Sequence, residues 1–229
     1  MKNKLFTALT IVILTVLSLP SGASAQEKVL FGGSLQSGGY GGPSLSFGQI
    51  NDEIGLFVGG KGAWVINHTF AIGIGGEGLV SNHKVKGYSQ EVVSFLNYPE
   101  TTYIDSSWYL SDFGYGGVYL EYIYNSNELV HLTGTILIGG GHLAYNPEPI
   151  SMNQNHYPHY DSEYLSYDRK SSNFFVIEPA LNAEINVAKW FRFDAGLGYR
   201  LVSSVDMPNT TSEQLSGLYG KITFKFGKF

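Results

Sequence analysis

A chain of 229 residues is long enough for one sizeable domain with a proper core. Only 14% of its residues are charged, against about 25% in soluble domains, while it carries 29 Gly, 16 Tyr and 14 Phe. The aromatic content argues against disorder, a net charge of −5 without a basic run against a nucleic-acid partner, and the absence of cysteine excludes disulfides, thiolate zinc sites, thiol catalysis and lipoprotein acylation.

The first element in chain order is an export signal. Lys2 and Lys4 precede an apolar stretch from Leu5 to Leu19, then Pro20 and the small-residue run SGASA, in which Ala23-Ser24-Ala25 fits an A-x-A cleavage site. The stretch is short for a helical span of about 20 residues. Residues 1–25 are therefore predicted to be a cleavable signal peptide and 26–229 the mature domain.

Beyond residue 26 the hydrophobic period is two rather than 3.6. Eight strands are predicted, at about 39–50, 53–66, 70–82, 109–124, 130–146, 173–187, 191–204 and 215–228. Most are longer than the usual five or six residues and can supply the roughly nine to eleven that a tilted transmembrane strand needs. Asn67-His68-Thr69, Asn125 to Leu129 and Ala188-Lys189-Trp190 read as tight turns, whereas 83–108, 147–172 and 205–214 are longer, polar and rich in Tyr and Pro. Short and long links alternate from the second strand onward, the rhythm of an up-and-down barrel with short turns at one end and outer loops at the other. The short link near Asn51-Asp52 is the exception.

Alternation assigns faces. Phe191, Phe193, Ala195, Leu197 and Tyr199 oppose Arg192, Asp194, Gly196, Gly198 and Arg200, and Leu218, Ile222, Phe224 and Phe226 oppose Tyr219, Lys221, Thr223 and Lys225. A soluble sandwich would turn the apolar face inward. Three features favour the inverse, with lipid outside: the signal peptide; the balance of Lys61, Arg192, Arg200, Lys221 and Lys225 against Glu77, Glu121, Glu178, Glu184 and Asp194; and the aromatics Trp64, Phe70, Tyr122, Tyr124, Trp190 and Phe191 beside the short turns. Glu77, alone among the glycines of GIGGEG, is then predicted to point into a narrow lumen and pair with a Lys or Arg of another strand. These ten charged residues form the predicted luminal ion-pair network.

With that pattern in view, the chain resembles the small eight-stranded outer-membrane barrels of Gram-negative bacteria, of the OmpA/OmpX type. The resemblance spans residues 28–229 and is carried by GGYGGPSLSFGQI, WVINHTFAIGIGGEGL, WFRFDAGLGYRL and the ending LYGKITFKFGKF. That ending is similar to the C-terminal strand signal of outer-membrane assembly, although Phe229 is out of phase with Phe224 and Phe226. The resemblance implies an all-β antiparallel transmembrane barrel, export through the periplasm, and contact with outer-membrane lipid, lipopolysaccharide and the assembly machinery.

Chemistry-bearing motifs are sparse. The runs GGYGG, GIGGEG and IGGGH lack the GK[ST] of a phosphate loop and read as strand glycine. QNHYPHYD brings His156, His159 and Asp161 together, but H-x-x-H without helical register is a poor metal site. With Tyr157, Tyr160, Tyr164 and Tyr167 the two histidines read instead as a recognition surface for an unknown extracellular ligand. His131 with Thr133, His142, and His83 beside Ser81 are the plausible bases near strand ends, and none shows an H-x-S arrangement. No catalytic residue, cofactor or metal ligand is assigned. The reading is a non-enzymatic barrel with an ion-paired, plugged lumen, serving envelope structure or surface recognition through 83–108 and 147–172; a lipid A-modifying enzyme and a narrow pore are the alternatives.

Overall fold

The computed structural model describes residues 36–94, 100–147 and 170–229, with the backbone alone at 85–94, 100–109, 111, 146 and 147. Nine strands follow in order: β1 Ser37–Ile50, β2 Glu53–Ile66, β3 Phe70–Leu79, β4 Lys84–Ser94, β5 Glu100–Tyr124, β6 Val130–Pro147, β7 Lys170–Ala188, β8 Phe191–Ser203 and β9 Gly217–Lys228, with a one-turn helix α1, Ser212–Leu215, before the last. Every pairing is antiparallel. The strand order is β3-β2-β1-β9-β8-β7-β6-β5-β4, and β3 pairs in addition with β5. That extra pairing closes a ring of eight strands, so each has a neighbour on both sides and no edge faces outward.

The eight predicted strands are the eight staves. The segment 83–108, read as a loop, is instead partly strand: β4 pairs with residues 100–109 of β5, whereas β3 pairs with 114–122 of the same strand. β5 thus runs past the ring, and β4 adds a hairpin to that extension. Lys84–Ser94 carries no strict apolar–polar alternation, which is why it was not legible as a strand. Residues 1–25, and His156, Tyr157, His159, Tyr160, Tyr164 and Tyr167, lie outside the described residues.

Turn chemistry explains the short links. Asn51 and Asp52 both have positive φ, 49° and 62°, as do Asn67 and His68 at 50° and 53°. Two successive left-handed residues match the twist of the flanking strands, and Asn and Asp tolerate that region best among residues with a side chain. The unexpected short link between β1 and β2 is therefore a two-residue hairpin turn at the end of the barrel that otherwise carries the long loops.

Faces follow the alternation. Ile54 is 78% exposed, Leu181 75%, Leu197 73% and Ile74 72%, all projecting outward, while Glu184, Asp194 and Lys225 on the opposite phase are at most 1% exposed. At the short-turn end Trp64, Phe70, Tyr122, Tyr124 and Trp190 are exposed on the outer surface. Trp190 stacks on Phe226 at 6.1 Å, and Phe226 on Phe191 at 5.0 Å.

Close backbone contact sets the ring's tightness. Gly117 of β5 lies opposite Gly139 of β6. A Cβ on Gly139 would sit 2.0 Å from the Gly116 carbonyl oxygen, and one on Gly117 2.2 Å from that of Ile138. A side chain at either position forces the strands apart. Gly139→Val is expected to prevent closure: the wild-type chain should migrate faster unheated than heated on a detergent gel, and the variant should lose that difference.

Candidate functional site: the ionised lumen

The interior is layered along the barrel axis. Near the short turns, Lys225 of β9 places its Nζ 2.5 Å from Glu121 Oε1 of β5 and 3.2 Å from Asp194 Oδ2 of β8, and it also contacts Glu184 of β7. Glu184 accepts from Arg192 Nη1 at 2.8 Å and lies 3.0 Å from His131 Nε2. The Tyr40 hydroxyl donates to Glu121. The oxygens of Glu121, Glu184 and Asp194 lie within 4.8 Å of one another, as a metal site would require, but the ammonium of Lys225 occupies their centre.

A second layer lies further in. Lys221 Nζ is 2.9 Å from Glu77 Oε1 and 3.4 Å from Glu178 Oε2. Glu77 also accepts from Ser44 Oγ at 3.0 Å and Ser46 Oγ at 2.6 Å, both on β1. Tyr115 donates to Glu178 at 2.6 Å. Glu77 thus has its cation from β9, which lies three places away around the ring. Between the two layers Lys61 donates to the Tyr119 hydroxyl at 2.8 Å.

Towards the long-loop end the filling turns apolar. Ile50, Phe57, Leu110, Phe113, Leu143, Phe174, Val176 and Val202 are buried together, and Met207 and Leu215 descend onto them from the segment between β8 and β9. Arg200 sits beneath this cap. Its Nε and Nη2 donate to the carbonyls of Leu215 at 3.0 Å and Gln49 at 2.7 Å, and its guanidinium lies 4.5 Å from the Phe57 ring centroid. At the opposite mouth Phe229 stacks on Tyr40 at 5.7 Å and carries the Arg192 guanidinium at 4.1 Å.

Apolar side chains cover the outside of a closed ring, and ion pairs fill its inside. This is the architecture of a transmembrane β-barrel. No protein-family model and no curated protein sequence matches the chain. Its likeness to solved structures is at the level of fold. Ail, the attachment invasion locus protein of Yersinia pestis, solved with the heparin analogue sucrose octasulfate, is 13% identical with a TM-score of 0.44 over 83% of this chain and 97% of that one. Neisserial surface protein A is 10% identical with a TM-score of 0.49 over 86% and 100%. The outer membrane protease OmpT of Escherichia coli is 12% identical with a TM-score of 0.35 over 88% and 98%.

All ten charged residues singled out from the sequence line the barrel interior, but not all in the same way. Lys61 and Arg200 make no salt bridge with a carboxylate among the described residues: Lys61 binds a phenol, and Arg200 binds carbonyls and rings. Balance by count is therefore not pairing one to one. The lumen also recruits Tyr40, Tyr115, Tyr119, Ser44 and Ser46, which the sequence reading passed over, and His131, which it weighed only as a base near a strand end. Tyr115 and Tyr119 share the phase of Glu121, and that was the signal available. His142 is exposed, with its Nδ1 3.0 Å from Asn173 Oδ1.

Removing Lys225 takes the ammonium from three buried carboxylates, of which Glu184 keeps Arg192, and breaking a buried pair typically costs about 3–5 kcal/mol. Lys225→Met is expected to lower barrel stability on that scale, read as the urea midpoint of the heat-sensitive gel shift in detergent. Adding Glu121→Gln should recover part of the loss.

Proposed function

We propose that the chain is exported through the periplasm, loses residues 1–25, is inserted with the help of the assembly machinery, and serves in the outer membrane as a sealed barrel that carries no solute through its lumen. The observation that supports this reading is the filling of the interior. Phe229, Tyr40 and Arg192 occupy one mouth, and the Leu215, Met207 and Phe57 cap occupies the other. The cavity between them, lined by Ser44, Lys61, Glu77, Glu178 and Lys221 among others, is about 20 Å³, which is room for roughly one water. A pore needs a continuous aqueous path.

With the lumen closed to transport, the barrel's role is envelope structure or surface contact through 83–108 and 147–172, and its partners are outer-membrane lipid, lipopolysaccharide and an extracellular ligand. The lumen contributes no chemistry to that role, because its carboxylates are neutralised and shut away from substrate.

Purified barrel in planar bilayers is expected to give no stable conductance, and steady single-channel steps would refute the sealed lumen. Deleting 150–170 should leave the heat-sensitive gel shift intact while removing any binding to whole-cell surfaces or matrix components. Loss of the gel shift in that variant would make the loop structural.

A further inference from the structure

One histidine of the short-turn layer is held between two acceptors. His131, the second residue of β6, is buried at 4% exposure, while its neighbours Val130 and Leu132 are exposed on the outer wall. Its Nδ1 lies 3.2 Å from the Glu128 carbonyl oxygen, and its Nε2 lies 3.0 Å from Glu184 Oε1. A carbonyl oxygen can only accept. Glu184 is an acceptor too, because Arg192 Nη1 donates to its Oε1 at 2.8 Å and Lys225 Nζ donates to its Oε2. A neutral imidazole has one N–H and one bare lone pair, so either tautomer aims that lone pair at an oxygen in a site shut off from water. Only the ring with both nitrogens protonated satisfies both contacts.

The charges of the layer make the same demand. Among the described residues, the short-turn layer sets Glu121, Glu184 and Asp194 against two permanent cations, Lys225 and Arg192. The inner layer is even, with Lys61 and Lys221 lining the same small cavity as Glu77 and Glu178. Arg200 adds to neither, since its guanidinium is taken up by the Leu215 and Gln49 carbonyls beneath the cap. One positive charge is therefore short where the three carboxylates meet, and both oxygens of Asp194 are buried there without a hydrogen bond. An uncompensated charge in such a place is costly.

We propose that His131 is a buried imidazolium, the third cation of the short-turn layer, and that it clamps the β5–β6 turn onto the ionic filling. The layer it joins holds Glu121 of β5, Glu184 of β7, Arg192 and Asp194 of β8 and Lys225 of β9. Through Nδ1 the ring holds the Glu128 carbonyl, which also accepts from Asn186 Nδ2 at 2.7 Å. The 125–129 turn is thereby tied to β6 and β7 at the mouth. The equal numbers of acidic and basic residues along the inward phase conceal an exchange: Arg200 serves the cap, and His131 stands in its place among the ion pairs. A conducting barrel could carry the same layer, so the protonation of this ring is tested apart from conductance.

The test uses the folded barrel in detergent at neutral pH, with the heat-sensitive gel shift as proof of folding. Nitrogen NMR on isotope-labelled histidine is expected to find hydrogen on both ring nitrogens of His131. A bare nitrogen on that ring would overturn the proposal, and this readout needs no variant. Charge substitutions supply a second one, the urea midpoint of the gel shift. His131→Gln removes the cation and should lower the midpoint. Asp194→Asn added to His131→Gln leaves two carboxylates against Lys225 and Arg192, and should raise the midpoint again. Asp194→Asn alone unbalances the layer and should lower it. If His131 acts only as a neutral hydrogen-bond partner, Asp194→Asn shifts the midpoint in the same direction in both backgrounds, and that result would also refute the imidazolium.

Discussion

Hydrocarbon offers no hydrogen bonds, so every peptide group that enters it must find its partner within the chain. The rest of this molecule follows from that constraint. β3 turns back to pair with β5, β1 pairs with both β2 and β9, and the eight-stranded ring has no free stave. Eight strands close into a ring whose interior is only wide enough for side chains. The outward phase must be apolar and the inward phase must fill a narrow space. Charges placed there have each other, a phenol or a carbonyl to turn to, and little else.

The filling uses two different devices. Through the middle and the short-turn half it is ionic, with Lys221 and Lys225 drawing carboxylates from β3, β5, β7 and β8. At the long-loop end it is apolar, with α1 delivering Leu215 as a lid. Arg200 joins the two. Its charge is spread over the Leu215 and Gln49 carbonyls and the face of Phe57, which suits a guanidinium better than an ammonium.

Much of the barrel was legible because period two is a local signal. Arg192 and Asp194 alternating with Phe191 and Phe193 are enough to assign β8's faces, and Asn67-His68 is enough to mark a turn. Partner choice was not legible. Glu121 and Lys225 are 104 residues apart, and which carboxylate meets which lysine depends on strand stagger, which no local pattern records. Tyr115 and Tyr119 hid for a different reason: a tyrosine in a membrane strand reads as a girdle residue until its phase is followed. His83 beside Ser81 was legible, but the Glu53 carboxylate 2.8 Å from His83 Nδ1 was not, because it comes from across a hairpin, 30 residues before the histidine.

Both lysines at the heart of the ionic layers belong to β9, the strand that also completes the ring against β1 and β8. Until β9 docks, Glu77, Glu121, Glu178 and Asp194 face a cavity without their ammonium groups. An almost finished sheet therefore carries mutual repulsion that only the last stave relieves. The strand that completes the ring is thus also the one that neutralises its interior.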